Sequence, residues 1–219
     1  MDKSQIKFMD EFVYNEIFVQ NVYCLTKEEL NNAAVLDIGG QYGFFALFSA
    51  ENGAKQIISV EPNFQNLARY LVNTASINTK VICAAAYSKN IITTIDNESA
   101  RSKLKNGSQL VATVTFKELF YLLDPGLELI LKVDIEGSEY DLLYNAPPEL
   151  LKKFKIIVME THNHFYNEPP YLREDDSEKL KNYIAGLGFN AYTLGFGWFS
   201  ENTTNIPPGY MYKFVNNKI

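Results

Sequence analysis

Three stretches of this sequence place residues that could act together chemically. The first is Asp37-Ile38-Gly39-Gly40-Gln41-Tyr42-Gly43, where an apolar run meets glycines. Glycines at a strand–helix junction let the backbone turn sharply and let a ligand approach without a Cβ in the way. Glu61 ends the next apolar run, ~20 residues on, the spacing at which an acidic side chain accepts the two hydroxyls of a ribose. The glycine order is G-G-x-x-G with Asp37 two residues ahead, not the dinucleotide order G-x-G-x-x-G. A carboxylate in that turn repels a pyrophosphate and suits a sulfonium or an ammonium. The electrostatics therefore favour a methyl donor over NAD. A turn whose glycines serve packing alone is the competing explanation, and Glu61 argues against it.

The second stretch, Leu131-Lys132-Val133-Asp134-Ile135-Glu136-Gly137-Ser138-Glu139, closes an apolar run with three carboxylates. They cannot all be buried unpaired, so they are expected to face a cleft at the carboxyl edge of a sheet. Glu139 alone is equally explained as a solvated acid in a helix's first turn. The third stretch, Glu160-Thr161-His162-Asn163-His164, holds both histidines of the chain. Imidazole is suited to moving a proton near neutral pH. Asp134, Glu160 and His162 could also offer oxygen and imidazole ligands to Mg²⁺ or a transition metal. Nothing in their spacing demands an ion, and none is expected.

The elements that must hold these residues alternate from Ala34 onward. Apolar runs at Ala34–Ile38, Gln56–Val60, Val81–Ala85, Glu128–Val133 and Lys155–Met159 read as strands. Phe44–Asn52, Asn63–Thr74 after Pro62, Tyr140–Tyr144 and Asp175–Leu187 read as helices, the last closed by Gly188. Thr115 and Glu118 form a capping-box pattern at the head of Thr115–Leu123. Ile91–Ile95 reads as a small hairpin arm. Phe189–Leu194 and Tyr210–Val215 are alternating strands with no helix between them, which predicts a parallel sheet with an antiparallel edge strand. Residues 1–30 are expected to form a helix and arm packed on a domain of residues 31–219. Within that arm Ile6–Phe12 looks helical, and Ile17–Tyr23 alternates like a strand.

A chain of 219 residues that is 47% apolar can bury a continuous core. Its formal charge of −6 disfavours nucleic acid as the main partner, since that binding rests on phosphate neutralisation. Cys24 and Cys83 are isolated and sit in apolar runs, which predicts buried, reduced thiols and a cytoplasmic protein. No leader pattern and no apolar run near the ~20 residues of a spanning helix is visible, so no membrane partner is expected. The sequons at Asn97, Asn106 and Asn202 then have no consequence.

Taken in order, the Asp37–Gly43 turn, Val60-Glu61-Pro62-Asn63 and Val133-Asp134-Ile135-Glu136-Gly137-Ser138-Glu139 resemble the FkbM-type methyltransferases that use S-adenosylmethionine (SAM). Glu16–Tyr23 and Ile157–His162 are similar to two further elements of that family, so the resemblance runs from about Asn15 to Val215. It implies a Rossmann-like class I α/β fold, a seven-stranded sheet with helices on both faces, and O-methylation of small molecules or sugars. By motif position, Asp37, Gly39, Gly40, Gln41 and Gly43 would line the methionine end of SAM. Glu61 would hold the ribose, Pro62 and Asn63 would flank the adenosine, and Ala85 would border the adenine. Asp134 would sit beside the sulfonium and the acceptor. The family usually has Ala-Asn where this chain has Gly40-Gln41, and often Arg where it has Asn15.

Methyl transfer to a hydroxyl needs a base within hydrogen-bond reach as the new bond forms. His162 is the first candidate, Asp134 the second, and Glu160 a candidate orienter. The late aromatic residues Phe165, Tyr166, Tyr171, Phe196, Trp198 and Phe199 read equally well as an acceptor pocket, as core, or as a homo-oligomer contact. Asn167-Glu168-Pro169-Pro170-Tyr171 has one residue too many for the Asn-Pro-Pro-aromatic motif of adenine amino-methylation. An RNA or protein methyltransferase, or a non-catalytic SAM-binding scaffold, are the alternatives to a small-molecule or glycan acceptor.

Overall fold

The computed structural model describes residues 6–95, 107–162, 176–196 and 209–219. Its centre follows from strands that are apolar on both faces, as the middle of a parallel sheet requires. β1 (Ala33–Ile38) is wholly buried, and it pairs in parallel with β7 (Glu128–Val133), which is buried after Glu128. β2 (Gln56–Val60) and β3 (Lys80–Ile82) extend the sheet on one side. On the other side, β8 (Phe154–His162) is parallel to β7. β10 (Gly209–Asn216) then runs antiparallel between β8 and β9 (Phe189–Phe196). The seven-stranded order is β3-β2-β1-β7-β8-β10-β9, parallel except at this one edge.

Alternation within the strands sorts side chains onto two cores. Ala34, Leu36 and Ile38 join Phe116 and Leu119 of α5 (Phe116–Phe120), Leu142 of α6 (Glu139–Tyr144) and Leu180 of α8 (Asp176–Gly186). Val35, Ile57, Ile130 and Ile156 face the opposite way, against Phe44 and Phe45 of α3 (Phe44–Glu51) and Tyr70 of α4 (Phe64–Asn73). Ile6, Tyr14, Ile17, Tyr23 and Leu30 pack into that second core, so the segment from Ile6 to Leu30 shares it. The Thr115–Glu118 capping box forms at α5 as the pattern predicts.

Four local expectations need correction. Ile6–Phe12 is not a helix, since residues 6–10 are irregular and the first helical turn begins only after Asp10, which caps it. Ile17–Tyr23 is not a strand: α1 (Glu11–Tyr14) runs into a π-helical turn, Asn15–Gln20, ended by Asn21 at φ 47°. The four-residue spacing explains it, because Phe18 stacks on Tyr14 at 4.8 Å while Ile17 is buried. Val81–Ala85 is not one strand either. β3 ends at Ile82, and β4 (Ala85–Tyr87) joins a separate small sheet with β6 (Gln109–Thr115) and β5 (Ile92–Ile95). Cys24 and Cys83 are free but exposed rather than buried. His164, Phe165, Tyr166, Tyr171, Trp198, Phe199, the Pro169-Pro170 motif and the three sequons lie outside the described residues.

Candidate functional site

β1 and β2 deliver the glycine turn and Glu61 to one edge of the sheet. Gly39 and Gly40 both donate their N–H to the Val60 carbonyl at 3.0 Å, which folds the turn over the end of β2. Gly39 sits at φ +93°, and a Cβ there would meet the Asp134 carbonyl oxygen at 1.9 Å. Gly43 sits at φ +85°, with Thr74 Cγ2 at 2.6 Å from such a Cβ. Both glycines are therefore set by close contact inside the protein. Gln41 is left-handed too, at φ 44°, a region in which Asn is enriched. Its main-chain N–H donates to Glu61 Oε2 at 2.8 Å.

Glu61 is a crowded acceptor. Its Oε1 takes the Asn63 N–H at 2.8 Å and the Asn66 amide at 3.2 Å. Burial pushes its carboxyl up to about 7 despite these bonds. Oε2 takes only the Gln41 N–H among the described residues, so it retains a lone pair that a ribose hydroxyl can use. Asn63 is fully buried and caps α4, its Oδ1 accepting from Gln65 and Asn66. The Pro62 carbonyl accepts from the Gln109 amide at 2.6 Å. Ala85 is buried with Ile95 and Val111.

Beneath the turn lies a polar row that the alternation of the strands aligns. Asp37 is flanked in register by Ser59 on β2 and Lys132 on β7. It is fully buried, accepts from Ser59 Oγ at 2.9 Å, and faces Lys132 Nζ at 3.3 Å. Tyr70 donates to Ser59 from the far side. Lys132 Nζ donates to the Gly39 carbonyl at 2.6 Å and stands 3.6 Å from Asp134 Oδ2. Burial pulls the Lys132 ammonium down, but the carboxylates of Asp37 and Asp134 outweigh it and hold it above its ordinary value. Burial pushes the Asp37 carboxyl up, against Lys132 and Ser59. Lys132 is the residue that sequence reasoning passed over. A charge inside an apolar strand, in register with a buried Asp, was the available signal.

β7, α6 and β8 build the other half. Asp134 lies just past β7, its N–H donating to the Ile38 carbonyl at 3.0 Å. Its Oδ2 accepts from the Tyr23 phenol at 3.3 Å. Glu16 lies close enough that burial and the Asp134 charge lift its carboxyl to about 7. Glu139 is fully buried, not a solvated first-turn acid. Its Oε2 takes the Gly137 N–H at 2.8 Å, and its Oε1 takes the His162 main-chain N–H at 2.6 Å and meets Nδ1 at 3.1 Å. The His162 ring is thus oriented by Glu139. Glu160 Oε1 lies 3.8 Å from Nε2, with Asp134 Oδ1 at 3.8 Å and Glu136 Oε2 at 3.7 Å. Burial disfavours the imidazolium, but Glu139, Glu160 and Glu136 outweigh that and raise it well above its ordinary value. Burial and Asp134 raise Glu160 to about 8. The Asp134 side chain is 29% exposed against 6% for His162, so Asp134 is the more accessible of the two.

The two halves meet at Asp134, whose carbonyl packs against Gly39 and whose carboxylate stands near Lys132 on one side and His162 on the other. A family model described as the methyltransferase FkbM domain matches residues 37–190. No curated protein matches the chain at a significant level. Among solved structures, it resembles a precorrin-6y C5,15-methyltransferase from Geobacter metallireducens (TM-score 0.53, 12% identity, covering 99% of this chain and 97% of that one). It also resembles an rRNA methylase from Streptococcus thermophilus (TM-score 0.50, 12% identity, 91% and 95% covered). WbdD gives a TM-score of 0.53 at 15% identity, with 95% of this chain but 41% of that one covered. At such identities the likeness is one of fold.

Proposed function

The chain belongs to the FkbM methyltransferases, which makes it a SAM-dependent methyltransferase, and from that premise we propose that its acceptor is a hydroxyl of a small molecule or a sugar. The observation that carries this is the partly exposed Asp134 carboxylate beside the glycine turn, backed by Glu160, Glu136 and His162. An alcohol must lose its proton as the carbon–oxygen bond forms, and a carboxylate there can receive it. The same concentration of acid repels the phosphates of a nucleic acid.

When bound, SAM supplies a methyl group already activated on its sulfonium. The chain's own tasks are orientation and proton removal. Glu61 accepts the ribose hydroxyls through Oε2. The Gly39–Gly43 turn shapes the methionine end, and Asp37 acts on that turn through Lys132 and the Gly39 carbonyl. Pro62, Asn63 and Ala85 set the backbone that borders the adenosine. Asp134 takes the acceptor proton, and His162 holds position behind it on Glu139. The two exposed thiols suit the reducing cytoplasm. Among the described residues no helix is long and apolar enough to cross a membrane.

The test is a transfer assay with methyl-labelled SAM against sugars, small hydroxylated compounds, RNA and protein. Label on an acceptor oxygen, lost in Asp134→Asn with SAM affinity retained by calorimetry, is the expected result. Label appearing in RNA or protein instead would overturn the acceptor class.

A further inference from the structure

We propose that Asp134, Glu160 and His162 form a binding site for one divalent cation of the Mg²⁺/Mn²⁺ class, placed to polarise the acceptor hydroxyl. The role assigned to the ion rests on the acceptor class above, whereas its binding does not.

The geometry comes first. One ligand atom from each of the three residues lies within 4.8 Å of the other two. His162 Nε2 stands 3.8 Å from Asp134 Oδ1 and 3.8 Å from Glu160 Oε1. Around a six-coordinate ion with bonds of about 2.1 Å, ligand atoms are separated by about 3 Å when adjacent and about 4.2 Å when opposite. Both separations from Nε2 lie between those two values, so the imidazole and either carboxylate need to shift by less than an ångström to close on an ion. Two carboxylates and one imidazole form a mixed donor set that Mn²⁺ accepts well, with remaining positions left for water or substrate oxygen.

The support behind the ligands is the second observation. His162 is a buried side chain with Nδ1 tied to Glu139, which is itself fully buried. Glu139 also takes the His162 main-chain N–H and the Gly137 N–H. This carboxylate–histidine pair fixes the ring so that Nε2 points among the carboxylates, the arrangement by which outer groups orient metal-bound imidazoles. An ion bound at Nε2 displaces the proton that the surrounding carboxylates otherwise hold on the ring, and that proton leaves to solvent. Charge supports the same conclusion. Asp134, Glu136, Glu139 and Glu160 all place an oxygen within 3.8 Å of that one ring. Such a concentration of acid in a half-buried edge is stabilised by a multivalent cation. An ion held by Asp134 Oδ1 leaves Oδ2 to its contacts with the Tyr23 phenol and the Lys132 ammonium. An acceptor oxygen on the ion would lose its proton more readily, and the acid cluster around the site would receive that proton.

The test uses the full chain after chelator treatment, without SAM, titrated with Mn²⁺ and followed by loss of the free-ion EPR signal. One Mn²⁺ per chain is expected. Glu160→Gln and His162→Gln should abolish saturable binding, and Glu139→Gln should weaken it roughly tenfold to a hundredfold. Glu128→Gln, at the far end of β7 beside Lys155, should bind like the parent. Should the site variants fail to fold, Mn²⁺ should still raise the melting temperature of the parent chain, and Mg²⁺ should compete for the site. No stoichiometric binding, or equal binding in Glu160→Gln and the parent, overturns the proposal. So does turnover that is unchanged after chelation. SAM calorimetry on the same chelated samples separates the two ideas. Intact SAM binding without a Mn²⁺ site removes the ion alone, whereas lost SAM binding removes the methyl-transfer assignment.

Discussion

Around the glycine turn, every buried charge meets a partner that a neighbouring strand or the main chain supplies. Asp37 faces Lys132 and Ser59, Lys132 reaches the Gly39 carbonyl, and Glu61 takes two main-chain N–H groups and an amide. Around His162 the balance is different. Four carboxylates surround one imidazole, and Asp134, Glu136 and Glu160 are each partly open. The first arrangement holds a backbone shape whether or not a ligand is present. The second stores electrostatic strain that a ligand, an ion or a proton can relieve. On the roles proposed above, rigid geometry on the donor side and responsive charge on the acceptor side suit a reaction in which only the acceptor must change protonation.

The sharpest way to break this contrast is Lys132→Met. It leaves Asp37 buried beside no cation, a loss of about 3–5 kcal/mol for a broken buried pair. Glu160→Gln, by contrast, removes one of four crowded acids and should cost less than about 1 kcal/mol. Chemical denaturation of both variants measures the difference. Equal destabilisation would mean that the two halves do not differ as described.

A pH series sharpens the donor side. Glu61 has its carboxyl raised by burial from 4.5 to about 7 in the fold. Between those values the folded chain holds a proton that the unfolded chain has released, so stability falls as pH rises through the window. The contribution is about 3 kcal/mol in size. Glu61→Gln should remove that part of the slope. On the ribose role proposed for Glu61, SAM should reduce it in the parent, because hydroxyl donors stabilise an ionised carboxylate. A slope unchanged by Glu61→Gln would transfer the titration to Glu16 or Glu160 and deny Glu61 its burial cost.

On the acceptor side, Glu139→Gln tests whether the His162 ring must be aimed. We expect turnover to fall roughly tenfold to a hundredfold with SAM affinity unchanged, a kcat effect rather than a KM effect for the donor. Equal loss of SAM affinity would show that the two halves are not separable.

What could be read in advance follows the same division. The donor half is local in sequence. Asp37, the glycines and Glu61 lie on two consecutive strand ends, and buried parallel strands such as Glu128–Val133 declare themselves as unbroken apolar runs. The acceptor half is assembled across the chain. His162 meets Glu139 over 23 residues, and Tyr23 meets Asp134 over 111. No spacing rule could distinguish Glu139 as the buried partner of a distant ring from an ordinary first-turn acid. Lys132 was hidden differently. It interrupts an apolar strand only once, and its meaning appears when register sets it beside Asp37.

The smallest effect probes the turn itself. Gln41 holds a left-handed backbone at φ 44°, which costs an ordinary side chain about 1 kcal/mol or more and costs Asn less. The contact it makes to Glu61 runs through its main-chain N–H, so the side chain is not needed for that bond. Gln41→Asn should therefore raise stability by about 0.5 kcal/mol and leave SAM affinity as it was. That outcome would give a physical reason for Asn at this position in the pattern that the sequence resembles. A many-fold drop in SAM affinity would instead assign the Gln41 side chain a direct contact with the cofactor. The donor half would then depend on more than a backbone shape held by Glu61 and Lys132.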